Sequence, residues 1–159
     1  MNKILLALLL PFALAACGQP GDLKYNEVVA SAFMQDVQRI DRDMEGLING
    51  DFDPGHAAVP GTPAKNPGDH LAELEKHLNQ VQQLPHSEEA GKFAGSLSHY
   101  YELQISYYQQ LKRYVETTDK AKKEALAQDL GNAYQTLRAL PEQIFAAQKQ
   151  FLERTSLPH

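Results

Sequence analysis

The sequence has no tryptophan and one cysteine in 159 residues. A single Cys excludes a disulfide framework and any metal site built from several thiolates. Basic side chains are in the minority, 15 Lys plus Arg against 20 Asp plus Glu, for a net charge of −5. Such a chain lacks the general electrostatic pull toward phosphate backbones, so nucleic acid is not expected as a partner. Several catalytic signatures are also missing: no Gly-x-Ser-x-Gly elbow, no phosphate loop, no zinc-protease helix and no Cys-x-x-Cys-His haem attachment. The segment Ser96-Leu97-Ser98-His99 is too local to build a triad. What is present is a chain with 43% hydrophobic and 22% charged residues, the composition of one folded domain.

The longest apolar run lies at the start. Residues 4–16 are almost wholly apolar behind Lys3, with Pro11 as the one breaker. A run of about 13 residues falls short of the roughly 20 that span a bilayer, but suits the core of a secretory signal. It ends in Leu14-Ala15-Ala16-Cys17, followed by Gly18. This resembles the lipobox of bacterial lipoproteins and matches it at every position. The resemblance covers the export segment alone and implies cleavage before Cys17 and a diacylglyceryl thioether on its sulfur. In Gram-negative bacteria it also implies N-acylation of Cys17. Gly18, standing where Asp would retain a lipoprotein in the inner membrane, implies sorting to the outer membrane, facing the periplasm. The expected organisation is therefore a signal peptide over 1–16, lipidated Cys17 with a short tether to 24, a helical domain over 25–154 and a tail over 155–159.

The remainder reads as helices with one long interruption. Val29, Phe33, Val37, Ile40, Met44 and Leu47 form one apolar stripe over 25–48, with Arg39, Asp41, Arg42, Asp43 and Glu45 at expected solvent positions. Residues 49–68 hold four Pro and four Gly, too many for a regular element, and are expected to form a long loop, either a simple crossover or a partner-binding segment. Asp69 can cap a second helix over 70–84, which Pro85 ends. Ser87 can cap a third helix, whose stripe Phe93, Leu97, Tyr100, Gln104, Tyr107, Leu111 and Tyr114 repeats at heptad spacing. Gly91 and Gly95, one turn apart on it, could allow a close helix approach. Residues 117–119 break and recap the chain, and a fourth helix follows, in which Pro141 should kink or restart the backbone. Short connections predict antiparallel neighbours, hence an all-α, up-and-down four-helix bundle.

Few residues point to chemistry. Five of the seven tyrosines, Tyr100, Tyr101, Tyr107, Tyr108 and Tyr114, sit on the third helix, two pairs of them in heptad register. A phenol combines an apolar face with one hydroxyl, so the stripe either fills wide spaces in the bundle or offers a surface to a partner. His70, Glu73 and His77 share one helix face, but the two imidazoles are about 10 Å apart along the axis, too far to ligate one ion together with Glu73. A solvated helix edge is the expected reading. A haem held by Met44 and a later His is open to any bundle and has no specific support. Lys120, Lys122 and Lys123, with acidic neighbours, read as a solvated helix end. No cofactor and no metal are expected. The sequence thus predicts a lipid-anchored, non-enzymatic binding or accessory module with a possible envelope protein partner. The alternatives are a bundle that holds a small ligand or cofactor between its helices, and an enzyme without a recognisable catalytic set.

Overall fold

The computed structural model describes residues 20–49 and 67–155. The signal segment, Cys17, the 50–66 part of the expected loop and residues 156–159 lie outside the described residues, as does the side chain of Asp69. The described residues form four α-helices: α1 Pro20–Asn49, α2 Pro67–Gln83, α3 Gly91–Glu116 and α4 Lys120–Thr155. A single 3-10 turn at Glu88–Ala90 leads into α3. The protein is an all-α, antiparallel four-helix bundle.

The start of α1 departs from the sequence reading, which left residues 20–24 in a tether. Pro20 has the φ that a first helical position requires and no N–H to leave unpaired. Asp22, buried in this first turn, accepts a hydrogen bond from the Ser87 backbone N–H at 2.8 Å. That bond ties the helix start to the α2–α3 connection, so the helix begins five residues before Tyr25. The Ser87 hydroxyl itself makes no cap to the turn that follows; the group that Asp22 engages is the Ser87 backbone N–H.

α4 runs unbroken through Pro141. The proline removes one backbone hydrogen bond, and Leu137 and Ile144 on either side of it are both buried in the core, so the helix does not restart there. Asp119 caps α4 as expected, its carboxylate accepting from the Lys122 N–H at 3.1 Å. Gly91 and Gly95 face open space, so neither serves a close helix approach.

α3 is the centre of the bundle and packs closely on both α2 and α4, while the α1 backbone stands further from it. Antiparallel pairing of α1 with α4 shows in two cross-helix bonds, Gln148 donating to Asn26 at 2.7 Å and Tyr134 donating to Asp41 at 2.9 Å. The wide space between α1 and α3 is filled by large side chains. Phe33 and Tyr100 meet edge to face at 5.0 Å, and Tyr25 meets Phe93 the same way at 6.3 Å. Aromatic rings suit such a gap because each buries a large area on few rotatable bonds.

Candidate functional site

The same 3,4 spacing occurs on three helices: Asp36, Arg39 and Asp43 on α1; His70, Glu73 and His77 on α2; Tyr101, Gln104 and Tyr108 on α3. Residues so spaced share one helix face. The bundle turns these three faces toward one another, and because α2 runs opposite to the other two, they meet in layers.

In the first layer the His77 imidazole Nδ1 lies 2.6 Å from Asp36 Oδ2. Asp36 is fully buried. The Tyr101 ring packs edge on against His77 at 5.9 Å, and its hydroxyl faces Asp36 without reaching hydrogen-bond geometry. The middle layer holds Arg39, whose guanidinium reaches Glu73 at 2.9 Å and Asp36 at 3.3 Å. Gln104 donates to the Asp36 backbone carbonyl at 3.2 Å. In the last layer the Tyr108 hydroxyl donates to Asp43 Oδ2, and His70 Nε2 lies 3.7 Å from the same oxygen. The His70 and Tyr108 rings are 5.2 Å apart. An Asp–His–Tyr set is thus used twice, one heptad apart, with an Arg–Glu pair between the copies.

The middle layer also fixes the register. A seven-residue slip of α1 would still offer a carboxylate to one imidazole, but would bring Ala32 or Gly46 opposite Glu73 in place of Arg39. A buried ionic group that fits in one register only is a known device for selecting that register.

Charges follow from this geometry. Burial alone would lower the Arg39 pKa, but Asp36 and Glu73 outweigh it and raise it, keeping the guanidinium charged. Burial, and then the carboxylates of Asp36 and Asp43, push the phenols of Tyr101 and Tyr108 far above their ordinary range. Burial does the same for Tyr25, Tyr100 and Tyr107. All these phenols are neutral at physiological pH.

Several sequence expectations are corrected here. Tyr100, Tyr101, Tyr107 and Tyr108 do not form a partner surface: all four are completely buried, because the gap between α3 and α1 needs their bulk. Tyr114 alone of the five is half-exposed, with Lys123 Nζ 4.8 Å over its ring. His70, Glu73 and His77 are not a solvated edge, and Arg39 and Asp43 are not solvent positions; all five belong to the seam. Asp36 and its role escaped the sequence reading. One signal was available in Gln104, an amide inside an otherwise apolar heptad stripe, where a buried polar partner is required. Among the described residues, no group of three or more His, Asp or Glu side chains could hold a metal ion. Elsewhere, Lys120 pairs with Glu124 at 3.9 Å on the surface, as a solvated helix end should.

The hydroxyls separate into two kinds. Tyr108 donates to Asp43, whereas the buried Tyr107 hydroxyl has no hydrogen-bond partner. Tyr108→Phe should therefore cost about 1–3 kcal/mol by leaving Asp43 short of a donor, while Tyr107→Phe should be neutral or slightly stabilising. Urea unfolding of the two variants checks this; equal losses would contradict the assignment.

Comparison of the chain with protein-family models, with curated proteins and with solved structures returns no match.

Proposed function

We propose that this chain is a lipid-anchored helical protein of the Gram-negative envelope, held at the outer membrane through Cys17 and acting as a non-enzymatic binding or accessory module. The observation that carries the reading is the coincidence of an export segment, the run Leu14-Ala15-Ala16 and the only cysteine of the chain. Three acyl chains on one residue anchor far more firmly than one, since each buried methylene contributes about 0.8 kcal/mol. No helix among the described residues is long and apolar enough to cross a membrane, so a spanning anchor in that part does not compete with the lipid. The start of α1 at Pro20 leaves only Gly18 and Gln19 between Cys17 and the bundle, which would seat the domain against its membrane.

The non-enzymatic part of the reading is supported by where the acid–base groups are. The imidazoles and carboxylates of the seam are engaged with one another between helices, and two of the carboxylates and imidazoles, Asp36 and His70, are buried. The buried tyrosine rings are in contact with one another, Tyr100 with Tyr101 at 5.8 Å and Tyr107 with Tyr108 at 5.3 Å. A protein partner would then be met by the remaining surface or by the Pro-rich 50–66 segment, whose prolines lower the ordering cost of binding.

The anchor is tested by metabolic labelling with palmitate. Wild type should take up label and be processed at Cys17; Cys17→Ala should do neither. Equal labelling of the two proteins would refute the anchor.

A further inference from the structure

We propose that the groove between α1 and α2 beside His77 binds a small oxyanion, namely a phosphate or phosphate ester group. The two Asp–His–Tyr layers are alike in composition but not in access. Both imidazoles are nearly buried, His70 with 6% and His77 with 11% of its side-chain surface exposed, but His77 borders an open groove of about 340 Å³ between the two helices. Asp36 occupies Nδ1 of His77, so a ligand in the groove would be met by Nε2. In the imidazolium both nitrogens donate, so Asp36 would orient a charged donor at the groove wall.

The rest of the wall is rich in donors. Lys24 on α1 and Lys76 on α2 contribute two ammonium groups, and Gln35 and Gln80 two amides. One carboxylate, Glu27, also lines the groove, but it is tied to Lys24 at 3.4 Å in an exposed pair, which is weak and readily exchanged. The groups around the imidazole are accounted for on every side. α1 presents Asp36 and Arg39, and since Arg39 shares the Asp36 charge, that carboxylate does not fall on His77 alone. α3 presents Tyr101, a neutral phenol. On α2 itself Glu73 is held by Arg39. The groove thus offers an imidazole and two ammonium groups with one loosely held acid, a set that recognises an oxyanion through charge-assisted hydrogen bonds.

Lys24 lies in the second turn of α1, at the end where the chain enters from Cys17. A free phosphate and the phosphate of a lipid headgroup offer the same chemistry at that end. The proposal deepens the reading of the protein as a binding module and does not depend on lipidation, so a failure of palmitate labelling leaves it standing.

The test follows the ring protons of His77 and His70 by NMR in the full chain, in dodecyl maltoside at constant pH and ionic strength. Inorganic phosphate should shift the His77 resonances saturably and leave those of His70 in place. Replacing the two exposed lysines, Lys24→Gln with Lys76→Gln, should weaken this binding by roughly tenfold without touching the core. A His77 shift in micelles doped with phosphatidylglycerol, with none from inorganic phosphate, would assign the oxyanion to a lipid headgroup. Parallel shifts of His70 and His77, no shift of His77 with either probe, or a lysine double variant that responds as wild type does would each overturn the site.

Discussion

Asp36→Ala should destabilise the bundle by about 3–5 kcal/mol, the loss expected when one member of a buried charged set is removed and the others stay. Asp36 is fully buried and is met by His77 at 2.6 Å, by Arg39 at 3.3 Å and, at its backbone carbonyl, by Gln104. Without the carboxylate, a guanidinium with 12% of its side-chain surface exposed and a nearly buried imidazole lose their shared acceptor. Asp41→Ala is the matched control. Asp41 is on the same helix and accepts from Tyr134, but it is exposed, and its removal should cost less than about 1 kcal/mol. Urea unfolding of both variants decides the matter. Similar small losses would mean that the seam contributes no more than surface charges do.

Tyr108→Ala should be as damaging or worse. Truncating a fully buried aromatic side chain costs about 3–5 kcal/mol through lost burial and the cavity left behind. Here Asp43 also loses its phenolic donor, and the His70 and Tyr107 rings lose a neighbour at 5.2 Å and 5.3 Å. Against a total stability on the order of 5–15 kcal/mol, that is a large share of the margin, and the urea midpoint should fall steeply. Tyr114→Ala, which truncates a half-exposed ring under Lys123, should leave the fold intact. Helical circular dichroism at rising urea compares the two. A Tyr108→Ala protein as resistant as the Tyr114→Ala protein would show that the tyrosine layer does not hold α1 to α3.

The helices were legible in the sequence because their signals are local. Apolar stripes at 3 and 4 spacing, Pro85 after α2 and the Asp119 cap before α4 each act within one or two turns, and all appear in the structure. The start of α1 was missed because its cause is not local: Pro20 and Asp22 become helical where Asp22 meets Ser87, 65 residues away. The seam was missed for the same reason. Periodicity reports that Asp36, Arg39 and Asp43 share a face, but a polar face turned to water and a polar face turned to two polar partners have the same period. What separates them is the matching spacing on α2 and α3, and that match acquires meaning only once the helices are known to be neighbours. The tyrosines were ambiguous because a phenol suits both a buried gap and an exposed surface. Their burial follows from the distance of α1 from α3, which no single helix encodes.

The claim that a buried, paired seam joins α1 to α2 and α3 is tested most directly by a double-mutant cycle between Asp36 and His77. Unfolding free energies of the wild type, Asp36→Ala, His77→Ala and the double variant give the coupling between the two side chains. A coupling of about 1–3 kcal/mol is expected, with the double variant losing less than the two single losses together. Additive losses, with no coupling beyond about 0.5 kcal/mol, would contradict the seam.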